Sequence, residues 1–586
     1  MQSQKIILLS IKKQKARFWQ MARQVLMAFM AIFAAFVALS FAPIFAQAQS
    51  QTQDKNQPPQ RPIEYTKART LTIAISQNAI VTSPQGYGAN QLFAQNLVFE
   101  GLTRLGKNGE IEPSLAESWE ILDGGKKYIF YLRKGVVFSN GEAFDASAAK
   151  KNFDALIKMR ARHSWSALSE VLDSVAALDS HTLAITLRAP YAPTLSELAL
   201  IRPYRFIAPS CIPDSLDITS RAPSKPIGTG AYMLAESILG SGDEFKANPH
   251  YWDAGRAPYF TTICTKVILE PNSKLIALKT GLVDLVYGRD QISSEIFKEV
   301  AQGRGGRDLR AYLSPAIYTT VLGLNPSNEF LVDKRVRQAI AQAIDKDALI
   351  KGVYGEYQSS ASALFAPNSK LTKIELAKIA ESSGAGSSGV DSSADSSTAR
   401  KLLESSGFTR NKQGAYEKGG KILRLKLEYV GNDPAQKMMG EILQAQLAKI
   451  GVELVLSAND ESIYSNKIKN GAFDMCFTDT WGAPYEPIIM LNSMRFKGHS
   501  GYVLLSPLPQ GSKIFADITA LIATPESKLV APTHAILREI YEASVFVPLT
   551  YQRNKAIAKD FISGLENMGV AAFEIPLWEL GDKRAE

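Results

Sequence analysis

The residues best suited to do chemistry lie within residues 481–499, which read WGAPYEPIIMLNSMRFKGH. Trp481 and Tyr485 flank a Gly-Ala-Pro turn that cannot continue a regular helix or strand. His499 ends the stretch inside a Lys-Gly-His-Ser-Gly run, whose composition predicts an exposed, mobile loop. An aromatic platform followed by a movable imidazole suits a flat or metal-bearing ligand. The same pattern would also arise from two core aromatics and a solvated histidine.

The formal net charge of +9 is concentrated at the amino terminus and gives no support to nucleic-acid binding. Residues 1–48 have the layout of a signal peptide: a basic start, an apolar run and an Ala-Gln-Ala end that predicts cleavage after Ala48. The apolar run is long for a signal, so an uncleaved N-terminal anchor is the alternative. Residues 49–65 form a polar tether. We expect the mature chain to be exported and soluble.

Strand and helix patterns alternate along both halves of the chain and predict an α/β protein with two lobes. Residue alternation predicts strands at 71–76, 128–132, 321–325, 423–429 and 473–477. Helical periodicity predicts helices at 91–102, from about 145 to 158, at 333–350 and at 434–450. Residues 381–398 are rich in Ser and Gly and predict a disordered insert. Of the three cysteines, Cys211 and Cys264 either pair or remain free thiols.

Several ordered motifs resemble family 5 of the extracytoplasmic solute-binding proteins, the peptide/nickel class that serves ABC importers. They are residues 113–119 (PSLAESW), 131–146 (YLRKGVVFSNGEAFDA), 226–232 (PIGTGAY), 248–252 (NPHYW) and 281–285 (GLVDL). The resemblance implies a type II, cluster C-like periplasmic binding fold, with a hinge and a ligand cleft between its lobes. It also implies that lobe I comprises residues 66–311 plus 554–586, and that lobe II comprises 312–553.

A narrower resemblance is to the nickel-binding members of this family. It rests on residues 90–95 (NQLFAQ), 160–165 (RARHSW) and 202–210 (RPYRFIAPS). This resemblance implies that Arg162 and Arg202 bind a chelator, and guanidinium groups do grip carboxylates bidentately. It also implies that His499, eighteen residues after Trp481, is a metal ligand. The competing interpretation for each arginine is a structural ion pair.

The histidine content bears on how a metal could be held. The chain has five histidines, and none of them pairs with another histidine or a cysteine at the spacing typical of metal ligands. A bound nickel ion would therefore take most of its ligands from a small chelator. His499 would add one imidazole, a ligand type that suits nickel.

The resemblance also implies an apolar wall around the chelate. Trp165 and Trp481 would sandwich it from opposite lobes, and Tyr485 and Leu92 would complete the wall. His163 is a possible second imidazole, for which a structural or rim role is preferred.

The favoured function is a monomeric receptor that captures nickel with free histidine or a small polycarboxylate, a metallophore, and delivers it to ABC transporter membrane permease subunits. The alternatives are a di- or oligopeptide receptor of an importer and a ligand sensor for a chemoreceptor. An enzyme is not expected, because GxSxG, HExxH, P-loop and GxGxxG motifs in strand–helix context are missing. Residues 478–480 (TDT) replace a basic pair of the nickel-binding pattern, which leaves the charge of the chelate open.

Overall fold

The computed structural model describes residues 62–63, 65, 68–79, 81, 83–85, 89–218, 226–288, 291–367, 371, 394–483, 485, 487–571 and 575–585. The predicted signal peptide, most of the tether and residues 381–393 of the predicted insert lie outside these ranges. No helix within them is long and apolar enough to cross a membrane.

The strands are numbered here in chain order. They are β1 (Thr70–Ile75), β2 (Thr103–Leu105), β3 (Ile111–Pro113), β4 (Ala116–Leu122), β5 (Lys127–Leu132), β6 (Leu172–Ala177), β7 (Thr182–Leu187), β8 (Tyr232–Ile238), β9 (Gly242–Ala247), β10 (Thr262–Val267), β11 (Leu285–Tyr287), β12 (Leu309–Leu313), β13 (Tyr318–Leu324), β14 (Ser359–Ser360), β15 (Thr409–Arg410), β16 (Tyr416–Lys418), β17 (Lys421–Ile422), β18 (Arg424–Val430), β19 (Glu453–Asn459), β20 (Met475–Asp479), β21 (Phe546–Gln552), β22 (Lys555–Lys559), β23 (Ile562–Ser563) and β24 (Gly581–Asp582).

The α-helices are numbered in the same way. They are α1 (Ala89–Val98), α2 (Ala146–Lys158), α3 (Ala167–Val171), α4 (Thr194–Leu198), α5 (Pro271–Thr280), α6 (Ser294–Ala301), α7 (Lys334–Gln342), α8 (Lys346–Tyr354), α9 (Ser396–Ser405), α10 (Pro434–Lys449), α11 (Glu461–Asn470), α12 (Ile488–Ser493), α13 (Ser500–Leu505), α14 (Gly511–Ile522) and α15 (Val530–Ala543).

The first lobe is built on a seven-stranded mixed sheet in the order β12-β22-β11-β1-β10-β9-β8. Strand β1 is parallel to both of its neighbours, whereas β22 is antiparallel to both of its neighbours. A separate antiparallel sheet, β4-β5-β7-β6, carries α2 against it. Strand β22 follows the second-lobe strands in the sequence but pairs in the same sheet as β1, so the chain returns to the first lobe.

The second lobe is built on a six-stranded mixed sheet in the order β14-β21-β13-β20-β18-β19. Strand β18 is parallel to β19 and β20, and helix α10 packs on β18 and β19. The two connections between the lobes run side by side: Ser314 N–H donates to the Asn554 carbonyl at 3.0 Å, and Ile317 N–H donates to the Gln552 carbonyl at 2.8 Å. The lobe boundaries given above stay a prediction.

A buried apolar cluster is continuous between the two lobes. It joins first-lobe residues such as Phe153, Leu168 and Phe206 to second-lobe residues such as Ile489 and Leu505. Each large sheet also has a cluster of its own. The lobes therefore contact each other through packed side chains as well as through the two chain connections.

Most predicted elements are present, but the predicted helix at 333–350 is wrong. It is two helices, α7 and α8, because the Asp345 carboxylate accepts a hydrogen bond from Ala348 N–H at 2.8 Å and starts a new helix there. The predicted helix at 91–102 ends already at Val98. Beyond it, the Leu102 carbonyl accepts from Ala116 N–H at 3.1 Å, so this part of the chain is extended.

Two further expectations need correction. The predicted strand at 473–477 is shifted by two residues to Met475–Asp479. The predicted disordered insert extends too far, because residues 396–398 form the first turn of α9, where Asp395 caps the N–H groups of Ser397 and Thr398. The three cysteines are free thiols, so the optional Cys211–Cys264 disulfide is not formed.

Candidate functional site

The segment that carries Arg162 is a tight turn at the end of α2. The chain continues from the helix into the 3-10 turn Arg160–His163. The His163 carbonyl accepts from Ser166 N–H at 2.9 Å and from the Ser169 hydroxyl at 2.7 Å. These bonds hold the backbone of the segment in place, while the side chain of Arg162 is exposed.

The imidazole of His163 is fully buried. Its Nε2 atom is 3.2 Å from Oε1 of Gln85. The pKa of His163 is lowered to about 4, chiefly by burial and in addition by the positive charges of Arg162 and Arg202. The positive charges of both arginines therefore act on the same ring. His163 itself belongs to the core, so the rim position that was one of its predicted places is wrong.

Arg202 is half-buried. The arginines next to it and next to Arg162 in sequence make hydrogen bonds to the backbone. The Arg205 guanidinium donates to the carbonyl oxygens of residues 199 and 200, each at 3.1 Å, which fixes the turn that leads to Arg202. Arg160 donates to the Leu172 carbonyl at 3.0 Å. The arginines nearest in sequence to the two candidates thus bind the backbone.

Trp165, Trp481 and Tyr485 form one aromatic cluster between the lobes. The Trp165 and Trp481 ring centroids are 6.2 Å apart at an interplanar angle of 83°. Tyr485 lies 6.0 Å from Trp165 and 5.7 Å from Trp481. The predicted sandwich is therefore not the arrangement in this structure, because the indoles meet edge to face, a favoured geometry for aromatic pairs. The Ser493 hydroxyl adds a hydrogen bond to the Trp165 carbonyl at 3.4 Å.

His499 caps a helix. It precedes α13, and its Nδ1 atom accepts a hydrogen bond from Gly501 N–H at 3.0 Å. Its ring lies 5.5 Å from the Trp481 ring, and burial lowers the pKa of His499 to about 4. The predicted exposed, mobile loop is wrong because a ring nitrogen here takes the place of the side-chain oxygen that usually caps a helix.

The cap hydrogen bond also determines the protonation of the His499 ring. Because Nδ1 accepts from Gly501 N–H, the neutral ring carries its proton on Nε2. A metal ion needs a ring nitrogen without a proton. It must therefore replace the Gly501 N–H at Nδ1, or bind Nε2 after the proton has moved to Nδ1. In either case metal binding breaks the cap.

The residues that stand in place of a basic pair lie on β20 and just after it. Oγ1 of Thr478 is 3.1 Å from Oγ of Ser500, the residue after His499. The Asp479 carboxylate accepts from the Thr320 hydroxyl at 2.6 Å. The second-lobe side of the site thus gains hydroxyl groups and a carboxylate here, and no positive charge.

Comparisons with known proteins agree with this fold. The model of the bacterial extracellular solute-binding proteins, family 5 (middle region), matches residues 110–502. The chain belongs to solute-binding protein family 5. The nickel-binding periplasmic protein of Escherichia coli (strain K12) is 34% identical over 513 residues, which span 87% of this chain and 94% of that protein.

Other family 5 comparisons give the same assignment. The crystal structure of NikA from Brucella suis, in complex with Fe(III)-EDTA, has a TM-score of 0.81 and 36% identity, covering 88% of this chain and 99% of that chain. The dipeptide-binding protein of E. coli (strain K12) is more distant, at 24% identity over 446 residues, 69% of this chain and 76% of that protein. The predicted two-lobed α/β fold is confirmed, and the chain is a solute-binding protein, not an enzyme.

One predicted contact residue, Leu92, lacks a described side chain. The side chain of Leu92 lies outside the described residues, so its place in the apolar wall stays a prediction. Across the part of the chain that the structure describes, no group of three or more His, Cys, Asp or Glu side chains is arranged to hold a metal ion.

Sequence reasoning missed two residues next to the site. Gln85 contacts the His163 ring, and Glu197 is a fully buried carboxylate. Neither belongs to a motif. The one available signal is that Glu197 interrupts the apolar run at 195–201 (LSELALI), since a glutamate buried in such a run needs hydrogen-bonding partners.

Proposed function

We propose that the protein is the receptor of an ABC importer and captures nickel as a small-molecule chelate. The observation that carries this proposal is the aromatic contact that joins the Arg162 segment to His499: the Trp165 ring, three residues after Arg162, lies 6.2 Å from Trp481, whose ring lies 5.5 Å from His499. The similarity to the nickel-binding periplasmic protein of E. coli supports nickel as the metal. The similarity to a protein complexed with Fe(III)-EDTA supports a chelate as the bound form.

Two guanidinium groups disfavour a bare metal ion as cargo. Arginine stays positively charged at physiological pH, so a naked divalent cation beside Arg162 and Arg202 is repelled. Carboxylates that project from a chelate instead form charge-assisted hydrogen bonds with guanidinium, each worth roughly 1.5–3 kcal/mol. The cargo is therefore nickel bound to free histidine or to a small polycarboxylate.

His499 would complete the coordination of the metal from the second lobe. Its imidazole is a ligand type that nickel accepts, and burial keeps it neutral, as ligation requires. Trp165, Trp481 and Tyr485 would cover the organic part of the chelate, with Leu92 as a further apolar contact. His163 is a weaker candidate ligand, because its ring is fully buried.

The proposal includes export and a membrane partner. Residues 1–48 act as the signal peptide and residues 49–65 as a tether, and the mature protein works as a monomer in the periplasm. Lobe I (66–311 plus 554–586) and lobe II (312–553) close on the chelate. The closed form then delivers it to the permease subunits of the importer.

A titration of dialysed protein tests the chelate requirement. Isothermal titration calorimetry in a non-coordinating buffer compares nickel chloride alone, nickel with L-histidine and nickel with citrate. Two arginine contacts predict that one of the complexes binds at least about 100-fold more tightly than the bare ion. Equally tight binding of the bare ion would contradict the proposal. Binding of a dipeptide, with no response to any nickel complex, would favour a peptide receptor.

A further inference from the structure

A buried carboxylate lies behind the two arginine-bearing segments. Glu197, in α4, is 0% exposed. Its Oε2 atom accepts hydrogen bonds from the hydroxyl of Ser166, from the hydroxyl of Tyr204 at 3.3 Å and from Leu168 N–H at 3.2 Å. Its Oε1 atom accepts from the hydroxyl of Tyr191. Four donors therefore converge on one side chain.

Two of these donors belong to the segments that carry the arginines. Ser166 follows Arg162 by four residues and directly follows Trp165, and Tyr204 follows Arg202 by two residues. The Ser166 and Tyr204 hydroxyls also contact each other. The Glu197 Oε2 atom and these two hydroxyls thus form a closed triangle that joins the segments side by side.

The first segment is stiff between Arg162 and its contact with Glu197. Ser166 N–H donates to the His163 carbonyl at 2.9 Å. The Ser166 hydroxyl caps α3 by accepting from Ser169 N–H at 3.3 Å. A displacement of Ser166 is therefore transmitted to the Arg162 backbone.

The second segment is short and equally constrained. Arg202 and Tyr204 are separated by one residue, and the turn before them is fixed by the guanidinium of Arg205. Phe206 N–H donates to the Glu100 carbonyl at 2.9 Å, which holds the far end of the segment. A displacement of Tyr204 is therefore transmitted to Arg202.

We propose that Glu197 is a positioning residue for the cargo site, because it holds the Arg162 and Arg202 segments at the separation that one chelate bridges. The inference rests on the proposed function, in which the arginines bind the carboxylates of the chelate. Glu197 acts through the arginines and does not touch the cargo. Residues that orient primary ligands in this way typically change affinity by about 10–100-fold when they are removed.

Glu100 offers a matched control. It also belongs to the first lobe, and its carboxylate is likewise held by uncharged donors, the Thr229 hydroxyl at 2.8 Å and the Trp252 indole N–H at 2.9 Å. Burial raises the pKa of both Glu100 and Glu197 to about 7. Neither donor to the Glu100 carboxylate lies in an arginine-bearing segment, and the Glu100 carbonyl that accepts from Phe206 N–H is backbone and is kept in a side-chain variant. Glu100→Gln therefore measures the general cost of changing such a carboxyl group.

The first test is the affinity for the nickel–histidine complex. We expect Glu197→Ala to weaken binding by about 10–100-fold. Glu197→Gln should restore most of the affinity, because its amide oxygen still accepts from Ser166 and Tyr204 while its NH₂ group donates to the Tyr191 oxygen. Glu100→Gln should leave the affinity unchanged. Wild-type affinity in a folded Glu197→Ala variant would overturn the proposal.

A double-mutant cycle identifies the route of the effect. Because Glu197 acts through the arginines, the loss caused by Glu197→Ala should shrink in an Arg162→Ala or Arg202→Ala background. It should keep its full size in a His499→Ala background. An undiminished loss in both arginine backgrounds would show a general structural role and overturn the proposal. If Glu197→Ala does not fold, Ser166→Ala and Tyr204→Phe each remove two of the three contacts of the triangle and enter the same cycle.

Hydrogen exchange of the cargo-free protein separates this inference from the proposed function. Glu197→Ala should speed amide exchange in residues 160–169 and 199–205, but not in β20. If the wild-type protein binds no nickel chelate, the proposed function fails while this measurement still reports on positioning. Unchanged exchange in those two segments overturns the inference even if nickel chelates bind.

Discussion

The two sides of the candidate site differ in how firmly they are held. On the first-lobe side, the segments of Arg162 and Arg202 are joined by Glu197 through hydroxyl groups that are buried with it. On the second-lobe side, the backbone of His499 bonds to Phe496 and Val503, but its ring has only the hydrogen bond from Gly501 N–H and an edge contact with Trp481 among the described residues.

This difference indicates an order of events under the proposed function. On the arginine side the backbone of both segments is already fixed, which lowers the entropic cost of docking. The imidazole side must break its cap before a metal can bind. We therefore expect the chelate to dock on the arginines first and His499 to ligate the metal second.

The largest loss of chelate affinity should come from removing either arginine. Arg162→Ala and Arg202→Ala should each weaken chelate affinity by about 10–100-fold, since each removes a charge-assisted contact worth roughly 1.5–3 kcal/mol. The free energy of unfolding should change little, because Arg162 is exposed and Arg202 is half-buried. Calorimetric titration and urea denaturation measure the two quantities.

Arg160→Ala is the control for this prediction. Arg160 is two residues from Arg162 but donates to the Leu172 carbonyl, so its removal should leave the affinity unchanged and cost only stability. If an Arg162 or Arg202 variant instead unfolds readily while its folded fraction binds normally, that arginine is structural.

A second prediction concerns how the free energy of unfolding changes with pH because of Glu197. Burial raises the pKa of Glu197 from 4.5 to about 7, so the folded protein binds this proton more tightly than the unfolded chain. Stability from this group is fully present below pH 4.5 and falls as the pH rises to about 7. A shift of this size corresponds to at most about 3 kcal/mol. Glu197→Gln should remove that fall.

Urea denaturation of both proteins at pH 5 and pH 8 measures this difference. Burial and the nearby Glu197 carboxylate raise the pKa of Tyr191 well above its usual range, and Arg495, whose charge acts on Tyr191, keeps a protonated guanidinium in this window. His163 and His499 are present in both proteins alike, so their contributions to the pH dependence cancel. Identical pH dependence in the two proteins would mean that Glu197 ionises normally.

Local patterns predicted much of the fold. Strands β1, β5, β13 and β18 follow the alternation of their side chains, and α10 begins at a Pro just after the capping Asp433. Such signals are carried by neighbouring residues. The break between α7 and α8 was not predicted, because an Asp can also occur inside a helix. Only the structure shows that the Asp345 carboxylate caps a new helix.

The candidate site was harder to predict. The resemblance supplied Arg162, Arg202 and His499, and their roles in binding stay predictions. Glu197 and Ser166 are 31 residues apart in the sequence. Residue periodicity does not predict contacts between such distant residues. The helix cap made by His499 could likewise not be predicted from the sequence, because it depends on the orientation of one ring.

The last prediction tests the weakly held side of the site and should have the smallest effect. His499→Ala removes both the imidazole and the helix cap, and loss of a cap costs about 1 kcal/mol. His499→Asn removes the imidazole but keeps a good capping residue. Both variants should lose about tenfold in affinity for the nickel–histidine complex and lose the visible-spectrum change of an added nitrogen ligand. Only His499→Ala should also lower the free energy of unfolding. If both variants bind with wild-type affinity and an unchanged spectrum, His499 is not a ligand, and His163 becomes the next imidazole to test.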